Sequence, residues 1–187
     1  MSTNEFKYYI LKRKDDQAYP LLRIADEDYN EERKTIKVYL ELNSPNRKPV
    51  LADFLYAPKD IVSKRIAAAM QELNMEGVQF IPTELALPKR EIIEDYICVI
   101  VNNNTYQALD KEKAIFTKDK DFDIWSVRKI VLDHKILGDI PLNKRLGFRL
   151  KEAPGYYLYH QSVIDVISAL NPTGVYFQNI EEYKGLV

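Results

Sequence analysis

Cysteine, histidine, tryptophan and glycine are all scarce in this chain: one Cys, two His, one Trp and six Gly among 187 residues. A lone Cys98 forms no internal disulfide, and its setting in Tyr96-Ile-Cys-Val-Ile-Val101 suits a small buried apolar side chain better than a reactive thiol. With only His134 and His160 to draw on, and no Cys/His spacing of the zinc kind, no metal is expected. The glycines form no Walker loop, dinucleotide fingerprint or G-x-S-x-G elbow, so no cofactor is expected either. No apolar run approaches the roughly 18 residues of a membrane span, and Met1–Lys7 has no apolar signal core; the simplest expectation is a cytoplasmic protein. Charge of one sign is missing too. Twenty-seven basic and 28 acidic residues give a net charge of −1, and no global field points to nucleic acid or an anionic membrane.

What is present is a short unit that occurs twice. Ile66 to Phe80 and Val163 to Phe177 lie 97 positions apart, and at that offset Leu73/Leu170, Asn74/Asn171, Gly77/Gly174, Val78/Val175 and Phe80/Phe177 are identical. Ile66, Ala69, Met70 and Leu73 follow the i, i+3, i+4, i+7 pattern of a buried helix stripe, as do Val163, Val166, Ile167 and Leu170. The run Ala67–Glu72 holds only strong helix formers, whereas Pro172 disfavours helix at Asn171. Asn and Gly then suit a left-handed helix end, and Val-x-Phe alternates as a half-buried strand does. Each copy reads as helix, tight turn and strand. Asp60 or Ser63 would cap the first helix.

Around these units the chain reads mostly as strands. Phe6–Lys12 opens, and Thr35–Leu42 alternates strictly. Tyr96–Val101 is a continuous apolar run, and Ala114–Thr117, Ile124–Leu132 and Leu146–Leu150 follow. Pro82 and Pro88 bracket an irregular segment, and Tyr156–Tyr159 leads into the second helix. Seven to nine strands and two or three helices without β-α alternation predict an α+β fold: a mainly antiparallel or mixed sheet with the two similar units packed on it. No Gly/Ser linker or low-complexity tract divides the chain, so residues 1–187 are expected to form a single domain with similar halves, about 1–90 and 91–187.

Candidate chemistry is thin. His160 aligns with Ser63 at the start of the repeated helix, which suits a capping role, and His134 follows Asp133 as a turn histidine. The alternative is a small hydrolase using His134, Asp133 and carboxylates distant in sequence. Asp119, Asp121 and Asp123 alternate as calcium ligands can, but the EF-hand positions for Gly and Glu hold Ile124 and Ile130. Lys144–Lys151 mixes basic residues with a single aromatic and lacks the aromatics that stack bases.

The order Leu146-Gly-Phe-Arg-Leu150, Tyr157-Leu-Tyr159, a helix ending Ala169-Leu170 and Thr173-Gly-Val-Tyr-Phe177 resembles the immunity protein 11 family of bacterial polymorphic toxin systems. The first unit, with Ser63 opening a helix and Gly77-Val-Gln-Phe80 following, is similar to that family's N-terminal half. The likeness runs from about Phe54 to Phe177. Its motif residues are structural: Gly77, Phe80, Phe148, Arg149, Gly174 and Phe177. His160 departs from the usual small capping residue, and Gly147 interrupts the strand before Phe148. The resemblance implies a non-enzymatic protein that binds and blocks a cognate toxin domain, with homodimerisation left open. The acidic stretches holding Asp26, Glu27, Asp28, Glu31 and Glu32, then Glu91–Asp95, then Asp119, Asp121 and Asp123, are the expected contacts with a basic toxin surface.

Overall fold

The computed structural model describes residues 5–16, 18–24, 35–40, 50–57, 59–87, 91–118 and 125–185. The N-terminal half holds β1 (Tyr8–Arg13), β2 (Leu22–Ile24), β3 (Ile36–Leu40), β4 (Phe54–Tyr56), β5 (Asp60–Ser63), α1 (Lys64–Gln71), β6 (Val78–Ala86) and β7 (Ile92–Val101). Then come β8 (Thr105–Tyr106), β9 (Ile115–Lys118), β10 (Trp125–Lys129), α2 (His134–Gly138), α3 (Leu142–Arg145) and β11 (Gly147–Leu150). β12 (Ala153–His160), α4 (Gln161–Ala169), β13 (Val175–Asn179) and a 3-10 turn at Ile180–Glu182 end the chain.

The fold is α+β with mixed sheets, as the sequence predicts. A six-stranded sheet runs β2-β3-β6-β7-β5-β4, a five-stranded sheet runs β13-β1-β12-β11-β8, and β9 and β10 form a separate hairpin ladder. Most pairs are antiparallel; β3–β6 and β8–β11 are parallel. Helices α1 and α4 pack on each other, and one core joins Ile66, Ala67 and Met70 of the first to Val163, Ile164 and Ile167 of the second. A second core lies under the six-stranded sheet around Val38, Leu55, Ile61, Leu85 and Cys98. A third lies under the five-stranded sheet around Tyr8, Phe148, Leu158, Ile130 and Leu137.

The two units are alike in backbone detail. Asn74 and Asn171 take positive φ (51° and 48°), as do Gly77 and Gly174 (77° and 76°), and Ser63 and His160 precede the helices at φ −62° and −63° with ψ 153°. The likeness extends to the sheets. In the first unit β7 lies between β5 and β6, with Ser63 opposite Tyr96 and Val78 opposite Val101. In the second unit β1 lies between β12 and β13, with His160 opposite Tyr8 and Val175 opposite Arg13. Tyr96, Val99 and Val101 of β7 thus correspond to Tyr8, Leu11 and Arg13 of β1. The strand that follows the first unit in sequence is supplied to the second by the start of the chain.

Several expectations are corrected. The described residues hold thirteen strands and four helices, more than the tally from sequence. Pro82 sits inside β6 rather than in an irregular segment, opposite Ile97 and just before the ladder to β3 begins at Thr83, where a strand can spare a donor. Asp60 starts a strand instead of capping α1. Ser63 holds the N-cap position, but its hydroxyl donates to Asp53 (2.8 Å) rather than serving the helix. Gly147 is part of β11, and a Cβ there would stand 2.9 Å from the Met75 methyl carbon.

Candidate functional site

The two copies differ at one place in their ladders. β5 pairs with β7 at four successive positions, from Asp60–Val99 to Ser63–Tyr96. Its counterpart β12 pairs with β1 only at His160–Tyr8 and Tyr159–Tyr9. The cause lies on the other side of β12. Between the pairs Phe148–Leu158 and Leu150–Ala153, β11 has one residue and β12 has four, so Pro154–Tyr157 bulge out of the ladder. Proline and glycine at 154 and 155 fit such a bulge. With β12 bent away, a cavity of about 470 Å3 opens between Ile10–Arg13 on one wall and Pro154–Tyr157 on the other, with Tyr56, Lys59 and Asp60 completing its lining.

Its chemistry is basic and aromatic around one hidden acid. Lys12, Arg13 and Lys59 bring three cations. Lys12 Nζ lies 5.4 Å from the Tyr183 ring centroid and Lys59 Nζ 5.7 Å from that of Tyr157. The Arg13 guanidinium is tied down, donating to the Asp16 and Tyr19 carbonyls at 3.2 Å each. Tyr56 and Tyr156 are exposed. Asp60 is buried, and its carboxylate accepts a 2.8 Å hydrogen bond from the Tyr159 hydroxyl. Burial pushes the Asp60 carboxyl up to about 7, although the Tyr159 hydrogen bond and the Lys59 charge pull the other way. The same burial, with Asp60 beside it, raises Tyr159 well above the usual tyrosine range. Cys98, fully buried near Asp60, is pushed up to about 12 and stays a thiol. Three half-buried cations thus face a single carboxyl, and the cleft is net positive whichever form Asp60 takes.

The motif residues sit in the scaffold. Phe148 is fully buried with the Tyr8 ring edge-on at 5.1 Å, and Phe80 and Phe177 flank the core shared by the helices. Arg149 lies with its guanidinium 6.0 Å from the Tyr157 centroid, behind the bulge. A Cβ on Gly174 would reach the Ala52 side chain and the Phe54 carbonyl, and one on Gly77 would strike Asn104. The acidic residues Asp26, Glu27, Asp28, Glu31, Glu32, Asp119, Asp121 and Asp123 lie outside the described residues. Glu91, Glu94 and Asp95 are exposed at the start of β7 and just before it.

The histidines are engaged structurally. His160 Nδ1 accepts from the Ser162 amide (3.2 Å), the capping role its alignment suggests, and the His134 ring stacks on Phe6 at 4.5 Å. Asp133 caps α2 by accepting from the Lys135 and Ile136 amides (2.9 and 3.2 Å), and Asp110 is held by Lys113. A second cavity of about 890 Å3 at Gln107–Lys113 and Val131–Ile136 is lined by these occupied groups. No His, Cys, Asp or Glu cluster of metal-holding size occurs among the described residues, and no described helix is long and apolar enough to cross a membrane. Sequence reasoning missed the cleft because its walls come from three distant segments. The Pro154-Gly155-Tyr156-Tyr157 run was its one visible trace.

An α+β scaffold with two similar units gathers aromatic and charged groups at a break in one ladder. The chain matches the immunity protein family Imm11 over residues 7–182 and belongs to that family. Among curated proteins no sequence matches it.

Proposed function

We propose that this single-domain protein acts in the cytoplasm as an immunity protein, neutralising a cognate toxin domain by direct protein–protein contact and without catalysis of its own. The observation that carries this reading is the family match, which spans nearly the whole chain rather than a short motif. Stable neutralisation calls for an interface of roughly 800 Å2 on each partner, with a few aromatic or charged anchors near its centre. Exposed Tyr56, Tyr156 and Tyr176 supply anchors of that type. The acidic stretches Asp26–Glu32 and Asp119–Asp123 would add electrostatic steering toward a basic toxin surface, which raises the association rate more than the final affinity.

Co-expression with the cognate toxin domain is the test. Growth should be rescued, and the two proteins should co-purify at equal stoichiometry. Growth arrest unchanged by this protein, with no complex on sizing columns, would overturn the proposal.

A further inference from the structure

Two cations of the cleft have no acid of their own. Arg65, Lys113, Lys144 and Arg145 each form an ion pair with a carboxylate. Lys12 and Arg13, both half-buried on β1 and both lining the cavity, pair with no carboxylate among the described residues. Lys12 Nζ rests 5.4 Å from the Tyr183 ring centroid. The Arg13 guanidinium donates to the neutral carbonyls of Asp16 and Tyr19, bonds that fix its position without cancelling its charge. A half-buried cation without a counterion has lost part of its hydration and gained no charge in return, so an arriving carboxylate finds it ready.

The tyrosines beside Lys12 add donors of the same sense. Tyr183 bridges Lys12 and Tyr156. Its ring meets the ammonium on one side and the Tyr156 ring on the other, 5.5 Å away and edge-on, and its hydroxyl donates to that of Tyr156 (3.1 Å). Because Tyr156 accepts this bond, its own hydroxyl proton is left for a further acceptor. Tyr183 is held in turn by the chain end, where its N–H donates to the Ile180 carbonyl (3.1 Å) and Gly185 N–H to that of Arg128 (3.0 Å). Tyr56, exposed in the same lining, offers a second hydroxyl. The one acid in the lining, Asp60, is buried and already accepts from Tyr159 (2.8 Å). Ammonium, guanidinium and hydroxyl donors thus line one cavity whose own carboxyl is engaged elsewhere.

We propose that the cleft receives an aspartate or glutamate side chain projecting from the toxin domain, its carboxylate neutralised by Lys12 and Arg13 and hydrogen-bonded by Tyr156 and Tyr56. The inference rests on the direct-contact reading and names the anchor of that contact. At about 470 Å3 the cavity is of the size of specific ligand pockets and admits a side chain rather than a domain, so it is one charged anchor within a larger interface. Asp60 faces Tyr159 of β12, Cys98 of β7 and, around its own hairpin, Tyr56 and Lys59. Its ionised form would oppose the incoming carboxylate, so the anchor should hold less well as Asp60 loses its proton.

Titration calorimetry of the full chain against a catalytically inactive form of its cognate toxin domain is the test. Lys12→Glu should weaken binding tenfold or more, whereas Lys135→Glu at the second cavity should leave it unchanged. The toxin domain's Asp and Glu residues are then changed to Lys one at a time. One of these variants should bind the Lys12→Glu protein at least tenfold better than the unaltered toxin domain does, an exchange that a merely structural lysine could not produce. Gly155→Trp, at a lining position where an added Cβ meets nothing within 4 Å, should keep the thermal midpoint and lose binding tenfold or more. Asp60→Asn should match the natural chain in affinity at pH 6 and exceed it threefold or more at pH 8. A complex that forms equally well with Lys12→Glu and Gly155→Trp would overturn the cleft and leave direct contact standing. Tighter binding by Lys12→Glu, or no compensating change on the toxin domain, would also overturn it. If no complex forms at all, direct contact falls and the cleft proposal with it.

Discussion

At the scale of single residues, Asp53 and Asp60 pull stability in opposite directions with pH. Asp53 accepts hydrogen bonds from Ser63, from Arg65 and from both the amide and hydroxyl of Thr173. Its burial alone would raise the carboxyl, but Arg65 and the Thr173 and Ser63 donors outweigh it and hold the group below the usual carboxylate range. Asp53 thus stabilises the fold above about pH 4 and ceases to do so as pH falls through its depressed value. Asp60 does the reverse. Its folded value is about 7 against an ordinary 3.8, so between these two pH values the folded chain keeps a proton that the unfolded chain releases, and stability falls as pH rises. Asp60→Asn keeps an acceptor for the Tyr159 hydroxyl and removes that titration. Urea unfolding should show the variant and the wild type similar at pH 4, with the variant ahead by roughly 2–4 kcal/mol at pH 7.5. Parallel pH profiles for the two proteins would mean that Asp60 is charged in the folded state. None of this was legible in the sequence. An aspartate before Ile-Val reads as a helix cap until the strand order places it beneath a second sheet.

Among the elements, the best-read features were those whose residues have few other uses. Asn and Gly at the end of an apolar helix stripe point to a left-handed turn, and both copies take one. The shortest strands left no such mark. β2 and β4 span three residues each and β8 two, too few for alternation to register. Pro82 misled because a general rule about proline outweighed a local exception on β6. The turns also show what couples the units. Phe54 N–H donates to the Thr173 carbonyl (3.2 Å), so the turn after α4 docks on β4, and Glu76 N–H donates to the Asn143 carbonyl (3.0 Å), so the turn after α1 docks beside β11. Asn104 closes the second joint by donating to the Glu76 and Gly147 carbonyls. A methyl at residue 174 would meet the Ala52 Cβ at 2.4 Å and the Phe54 carbonyl at 2.8 Å, in a backbone conformation that disfavours alanine. Gly174→Ala should cost about 3 kcal/mol and lower the thermal midpoint by about 10 °C. Gly77→Ala meets a side chain, Asn104, and should cost less. Equal losses, or none at residue 174, would show that the α4 turn can move off β4.

On the scale of the whole molecule, the two similar units draw their middle strand from different parts of the chain. Beyond β6, the first unit continues through residues 87–91 into β7, which returns antiparallel with Ile92 opposite Ala86. Beyond β13 the chain leaves through the Ile180–Glu182 turn, and Gly185 N–H donates to the Arg128 carbonyl (3.0 Å). The strand that should return is β1, with Tyr9 opposite Asn179. The equivalent strand thus follows the first unit in sequence and precedes the second, an arrangement that no pattern along the sequence reveals because Tyr8-Tyr-Ile-Leu and Tyr96-Ile-Cys-Val share little beyond apolar character. A protein that begins at Asp15 should lose the strand between β13 and β12, and with it a cooperative transition in circular dichroism. Appending residues 5–14 after Gly185 through a Gly/Ser linker of about 15 residues, which spans roughly 20 Å, restores that strand in the order the first unit uses. Closing the longer loop costs only about 1 kcal/mol, so this permutant should unfold within about 5 °C of the natural chain. On the direct-contact reading proposed above, the permutant should also bind the toxin domain as the natural chain would. A permutant that folds but no longer binds would mean that the contact needs the natural connection at β1 and not the strand alone.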